Sequence, residues 1–426
     1  MKVFKFGGAS INSIDRFKDT AQIIKSHAKD KLLLVVSAMG KTTNALEKVA
    51  GSFFEAKSEE ALALFQQVKD QHRNTLKFLT VTHALKGENQ LKDFFTEVEW
   101  LLYDKPVRNF DFYYDQVVCS GELMSTAILY HYLLELGVKI AWVDVRDIIR
   151  TDNNFRDAGV DWKFTGAAIQ EKILPLFEQY DVVLTQGFIG ATYENESTTL
   201  GREGSDYTAA IFANLMDAES VTIWKDVESV MNADPRKFDD AVNIYSLSYA
   251  EVIEMAYYGA QVIHPKTIKP LQNKNIPLYV KNFLDPTLQG TSITNKLARQ
   301  LPPLIVVKEN QALMQFKSKD FSFVEDKPIE QLHAIFDKVK LKPNLSQNTA
   351  ISLLCSFDDR KEKIDQLAHL ASELFDVELE RNLTLLTLRH YNVEIYQKLS
   401  TGKTVVLLQK TPETLQALMR ENSLVQ

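Results

Sequence analysis

Short continuous apolar runs, separated by stretches with helical spacing, dominate the first two thirds of the chain. LLLVVS (32–37) and DVVLTQGFI (181–189) are too short for buried helices and rich in β-branched residues. Runs of that kind are strands buried on both faces of a parallel sheet. Residues 1–6, 139–145, 218–227 and 276–282 read as further strands. Between them lie helical patterns from 10–15 to about 27, over 117–136, after Asp206, and over 248–258, which ends at Gly259. Residues 47–102 mix charged and apolar positions at helical spacing. They read as a helical insertion over the mouth of a site, with His72 and His83 as surface or groove residues. Strands alternating with helices over this length predict an α/β domain with a mostly parallel sheet between helices.

The texture changes after residues 285–303, a stretch rich in Pro, Gly, Thr and Asn. Beyond it a β-α-β rhythm predicts two small ferredoxin-like units that share strands, closing on a terminal helix. The expected organisation is a catalytic domain over 1–290, a linker over 291–303 and a paired regulatory module over 304–426. Nothing in the last region pairs a nucleophile with a base, so a sensor or assembly surface is the expected role.

Composition narrows the partners. The chain has 426 residues, 45% hydrophobic and 25% charged, with a formal net charge of −7. No basic run suggests nucleic acid, and no apolar run reads as a membrane span or signal core. Cys119 and Cys355, the two cysteines, are far apart, so neither a disulfide framework nor a cysteine metal site is expected. A cytoplasmic protein is the simplest expectation.

The chemistry gathers where strands end. After the strand at 181–189 and a polar connector, Gly201, Arg202, Glu203, Gly204, Ser205 and Asp206 lead into an alanine-rich helix. Ser205 or Asp206 is expected to cap that helix, whose first N–H groups attract anions. Arg202 offers a planar fork for a carboxylate, and Asp206 can orient a cation. Lys5 precedes Gly7 and Gly8 at the end of the first strand, a common phosphate cradle. Ser37 and Thr43 follow the second strand, where ligands of open α/β sheets bind. Glu122 stands early in its helix, a position that the helix dipole alone would favour. Each feature also has a plain structural explanation, namely a turn, a cap or a first-turn carboxylate, and at this point both readings stand.

The ordered set KFGG, VVSAMGKTTN, SGELMST, TQGFIG, GREGSDYTAA, KDV with NADPR, and GAQVIHP resembles aspartate kinases over residues 1–283. The later region resembles that family's tandem ACT regulatory domains. The resemblance implies an amino-acid kinase fold and ATP-dependent phosphorylation of the side-chain carboxylate of L-aspartate, with Mg²⁺ on the nucleotide phosphates. It implies that Lys5 holds the transferring phosphoryl, with Gly7 and Gly8 supplying N–H groups and Asp206 orienting Lys5. Arg202 would bind the α-carboxylate of aspartate and Glu122 its ammonium, with Ser37, Ala38, Thr43, Phe188 and Ser205 completing the pocket. Lys225, Asp226, Met231, Arg236 and Gln261 would face the nucleotide. No residue is expected to hold a resident metal.

The chain departs from the family's pattern at Ala9 (usually Thr), Glu203 (usually Gly), Lys225 (usually Thr) and Gln261 (often Lys). Lys225 is a candidate replacement for the missing lysine. Asn344, in PNLSQNTAI, stands where lysine-sensitive relatives often carry an aspartate. A homodimer or larger homo-oligomer and an end-product amino acid as effector are further implications. Two alternatives stay open: a kinase for another amino acid such as glutamate, and a decayed amino-acid sensor.

Overall fold

The computed structural model describes residues 1–260, 262–297, 300–320 and 326–422. The chain forms two compact units. The first comprises Met1–Val230, Asn243–Ile253 and Val262–Ala298; the second comprises Met231–Val242, Glu254–Gln261 and Arg299–Gln426.

The first unit is built on an eight-stranded sheet. Its strands in chain order are β1 (Lys2–Phe6), β2 (Leu32–Val36), β3 (Ile140–Val143) and β4 (Val182–Gln186). A short hairpin, β5 (Ile189–Ala191) with β6 (Ser197–Thr199), precedes β7 (Ser220–Lys225). Two-residue strands β8 (Val230–Met231) and β9 (Asn243–Ile244) follow, then β10 (Ser246–Ser248), β11 (Leu278–Asn282) and β12 (Thr291–Thr294). The sheet order is β10-β12-β11-β7-β1-β2-β4-β3, and only the β11–β12 pairing is antiparallel. All five β2 residues are buried, as the continuous apolar run requires. Parallel register aligns Phe6 with Val36 and Trp224, Val36 with Gln186, and Lys225 with Asn282. The carboxyl ends of β1, β2, β4, β7 and β11 therefore share one edge, the edge that binds ligands in open α/β sheets.

Helices α1 (Ile14–His27), α2 (Thr42–Phe54), α3 (Ser58–Leu79), α4 (Ala84–Leu102), α5 (Phe110–Val118), α6 (Ser120–Glu135), α7 (Trp162–Ala168), α8 (Leu176–Gln179) and α9 (Gly204–Leu215) accompany β1–β7. They are followed by α10 (Tyr249–Tyr258) and α11 (Pro265–Lys274). The helix expected over 117–136 is two helices, broken at Cys119. The whole run Phe110–Glu135 is long and apolar enough to cross a membrane by composition, against the expectation above. However, 89% of its most apolar window is buried inside the unit, as in a core helix.

Three further expectations are corrected here. His72 is fully buried, with a ring nitrogen bonded to the Val68 carbonyl at 2.7 Å. It stands in the stripe Ala61, Phe65, Val68, His72, Leu76, Leu79, so helical period placed it inside despite its polarity. Burial holds its pKa down at about 4. The stretch expected as linker contains β12, whose Thr291 and Ile293 are buried beside β11 and β10. Third, the chain closes on a strand where a helix was expected, as the second unit shows.

That unit contains one six-stranded sheet, β14-β15-β13-β16-β18-β17. The strands are β13 (Leu304–Ser318), β14 (Leu345–Asn348), β15 (Ser352–Asp358), β16 (Phe375–Arg389), β17 (Lys403–Lys410) and β18 (Thr414–Glu421). Helices α12 (Asp326–Val339), α13 (Lys361–Ala371) and α14 (Val393–Ser400) connect them. Strands β13 and β16, of 15 residues each, run through both halves, so the two ferredoxin-like motifs share strands as expected. TLQALMRE in β18 is composed of good helix formers. Its first six residues are nonetheless buried between β16 and β17, and that burial overrides propensity.

Candidate active site

Lys5, the penultimate residue of β1, sets its ammonium 2.7 Å from Asp206 Oδ1, their side chains only 12% and 4% exposed. Past Phe6 the backbone runs through extended Gly7 into a tight turn over Gly8–Ile11. A Cβ on Gly8 would lie 2.8 Å from the carbonyl oxygens of Ala38 and Gly40, while the Gly40 N–H donates to the Gly8 carbonyl at 3.1 Å. The turns after β1 and β2 thus meet backbone to backbone, which only glycine permits. A Cβ on Gly7 would lie 3.3 Å from the Lys5 ammonium, so the space above the strand end belongs to a cation and its partner.

Ser37, just after β2, donates its hydroxyl to Ser205 Oγ at 2.9 Å, and Ser125 Oγ donates to the Ser37 carbonyl at 2.7 Å. At Gly187, after β4, a Cβ would stand 2.5 Å from Ser205 Cβ. Helix α9 can therefore enter the sheet edge directly. The expected cap is corrected: neither Ser205 nor Asp206 caps α9. The helix starts at Gly204, and the capping position falls to Glu203, left-handed at φ 54°, with no side-chain cap. Ser205 and Asp206 lie in the first turn with their side chains turned to Ser37 and Lys5. Phe188 is also left-handed, at φ 71°, an outlier for a bulky residue. It is pinned by its N–H to Thr208 Oγ1 at 3.0 Å and its carbonyl to the Leu200 N–H at 2.8 Å.

Glu122 lies in the first turn of α6, buried. Its Oε1 accepts the Ala38 N–H at 3.3 Å, and its Oε2 has no hydrogen-bond partner among the described residues. Burial pushes its carboxyl up to about 8, against the opposing pull of the Ala38 N–H and Lys5. A first-turn carboxylate that merely favours the helix dipole would sit in water; this one is committed to an interior. Thr43 is half-buried in the first turn of α2, and Arg202 is exposed at the mouth of the loop. The guanidinium of Arg202 makes no ion pair among the described residues.

The residues expected near the nucleotide are more scattered. Lys225 ends β7, and its ammonium donates to the Val262 carbonyl at 2.8 Å. Asp226 follows it, exposed. Met231 and Arg236 belong to the second unit, where Arg236 is exposed and paired with Asp234 at 2.8 Å. Gln261 lies outside the described residues. Sequence reasoning passed over Ser125, although SGELMST sets it three residues after Glu122 on one helix face. It also passed over the Glu203 contact described below.

At this edge a buried lysine–carboxylate pair, glycine-permitted backbone approach and the first turn of α9 converge. Such an arrangement receives and neutralises phosphate charge, as a small-molecule phosphotransferase requires. Residues 1–282 match the model of the amino acid kinase family, and the chain belongs to that family. Lysine-sensitive aspartokinase 3 of Escherichia coli K12 is 33% identical over 326 residues, 74% of this chain and 69% of that enzyme. E. coli aspartokinase III, in complex with aspartate and ADP (R-state), superposes with a TM-score of 0.81 at 28% identity, covering 99% of this chain and 96% of that one. The same enzyme with lysine and aspartate (T-state) gives 0.79 at 27% identity, covering 98% and 95%. Within the family, the chain is an aspartokinase.

Proposed function

We propose that the chain transfers the γ-phosphoryl group of ATP to the side-chain carboxylate of L-aspartate, yielding 4-phospho-L-aspartate and ADP. This is the first step towards lysine, threonine and methionine. The carrying observation is the meeting of two opposite charge environments around Ala38. On one side the Lys5–Asp206 pair, beside Gly7 and Gly8, suits phosphate; on the other, the buried Glu122 suits an ammonium. Arg202, free of internal partners among the described residues, takes the α-carboxylate. Ser37, Ala38, Thr43, Phe188 and Ser205 shape the pocket between these charges.

The attacking carboxylate is ionised at neutral pH and needs no general base. One of its oxygens forms the new bond to phosphorus as the bond to the bridging oxygen of ADP breaks. Catalysis is then positioning and charge neutralisation. Lys5 holds the transferring group, and Asp206, 2.7 Å away, keeps the ammonium from wandering. Mg²⁺ bound to the phosphates would supply further charge neutralisation. Asp226 is proposed for the nucleotide side, with Lys225, held by the Val262 carbonyl, framing it.

The second unit is proposed to bind an end-product amino acid and to pair copies of the chain in a homodimer acting in the cytoplasm. The likeness to a structure of the E. coli enzyme holding lysine supports a regulatory reading. ADP formation with aspartate and with glutamate, each with and without lysine or threonine, tests the whole reading. Turnover that ignores aspartate would sink it. Inhibition by none of the aspartate-derived amino acids would sink the regulatory part.

A further inference from the structure

Two side chains at positions where this chain departs from its family's pattern reach the same short segment. Glu203 Oε2 accepts the backbone N–H of His264 at 2.9 Å, and Lys225 Nζ donates to the carbonyl of Val262 at 2.8 Å. The segment between these contacts opens α11. His264 caps that helix, its Nδ1 accepting the Lys266 N–H at 3.2 Å, and Pro265 takes the first helical position. Lys266 pairs with Asp157, and a Cβ on Gly201 would fall against the same Asp157 carboxylate. The loop Gly201–Gly204 is closed by its own bond, Gly204 N–H to the Gly201 carbonyl at 3.0 Å.

Glu203 carries the cost of a left-handed backbone at φ 54°, ψ 29°, a conformation that glycine would adopt freely. Its carbonyl accepts from the N–H groups of Asp206 and Tyr207 at 3.0 and 3.2 Å, so the backbone that carries Glu203 also starts α9. Its carboxylate is spent on His264 rather than on its neighbour Arg202. A strained backbone persists only where its surroundings hold it, and here the His264 N–H holds the side chain while the Asp206 and Tyr207 N–H groups hold the carbonyl.

Resting on the aspartate-kinase reading, we infer that Glu203 is a positioning residue for substrate binding. It fastens the Arg202 loop to the start of α11, and Lys225 fastens the other side of the same segment to the end of β7. Arg202 lies between two fixed points, Gly201 and Glu203, so its guanidinium is delivered to the α-carboxylate from a loop that cannot drift. Lys225 in this role is an anchor and not a phosphate ligand. The two anchors join the aspartate side of the sheet edge to its nucleotide side through residues Val262–His264.

The test is a small set of full-length variants read in two ways. Glu203→Gly relieves the left-handed strain and removes the anchor; Glu203→Gln keeps an oxygen that can accept the His264 N–H. Glu203→Gly is expected to raise KM for aspartate about tenfold with kcat changed less than threefold and no loss of thermal stability. Glu203→Gln is expected to stay within about threefold of the parent. Hydrogen exchange at the His264 amide, measured without substrates, is expected to be fast in Glu203→Gly and slow in the parent and Glu203→Gln. Lys225→Thr combined with Glu203→Gly is expected to cost less than the product of the single effects, because either loss frees the same segment. An unchanged KM in Glu203→Gly beside a deprotected His264 amide overturns the positioning role, and so do strictly multiplicative effects. A His264 amide that exchanges equally in all variants overturns the anchor itself. Failure of the parent chain to turn over aspartate would instead reject the proposed reaction, and the exchange measurement would still judge the anchor.

Discussion

Glu122 gives the strongest single test, because it sets stability against binding. Its carboxyl titrates near 8 in the folded chain against an ordinary 4.5. The sign follows from linkage: a raised folded pKa means that stability is fully present below 4.5 and is lost as pH rises towards 8. At pH 7 the folded carboxyl is still mostly protonated while the unfolded one is ionised. At 1.36 kcal/mol per decade, the ionisation forgone costs about 3 kcal/mol at that pH. Glu122→Gln removes this cost and keeps an oxygen for the Ala38 N–H. The variant should therefore be level with the parent near pH 4.5 and about 3 kcal/mol more stable at pH 7, measured by denaturant unfolding. It should also lose aspartate, because an uncharged amide cannot pair with the ammonium. Binding aspartate to the parent at pH 7 should release close to one proton, seen by calorimetry in buffers of different ionisation enthalpy. KM for aspartate should accordingly fall as pH rises from 6 to 8. A stability gap that does not grow with pH, or a Gln variant that binds aspartate normally, would refute the reasoning.

Asp206→Asn removes the charge that holds Lys5 and should lower kcat about a hundredfold, with KM for either substrate within severalfold; steady-state kinetics decide it. Arg202→Ala forfeits a charge-assisted fork of roughly 1.5–3 kcal/mol and should raise KM for aspartate at least tenfold while leaving that for ATP nearly unchanged. Asp115 is buried and accepts from the N–H groups of Arg156 and Thr199 and from the Thr199 hydroxyl, at 2.9, 2.8 and 2.8 Å. Asp115→Ala strands these donors and should destabilise the chain by on the order of 3 kcal/mol, visible as a shifted urea midpoint with KM values little changed.

The parallel core was legible because strands buried on both faces advertise themselves as unbroken apolar runs, and β2 is the plainest case. The glycine turn after β1 could be read as well, since close backbone approach leaves few choices of residue. Other features depended on partners far away in sequence. Thr291–Thr294 looks like a connector until β10 and β11 flank it, and TLQALMRE looks helical until two neighbours bury it. His72 was misjudged by chemistry alone, although its spacing with Phe65, Val68 and Leu76 placed it inside. Within the site, Asp206 was expected beside Lys5 and stands there, but its fitness and that of Ser205 as helix caps suggested a cap that neither provides. Glu203 occupies the capping position, and nothing local to GREGSD announces a bond to His264, 61 residues on.

The second unit takes its residues from three separate stretches of chain, and this shapes how the protein can be made. Residues Met231–Val242 leave the ribosome well before their partners exist. Asn232 awaits Pro303 and Ile305, Lys237 awaits Glu309, and Asp240 awaits Lys398. Glu254 likewise awaits Arg389, 135 residues later. Synthesis therefore passes through a period in which the strands of the kinase sheet are already out while two excursions in their midst stand unclothed. A chaperone or a protease would find its target at those excursions. A chain truncated after residue 298 should be nicked by added protease within 231–242, and the full-length chain should resist cutting there.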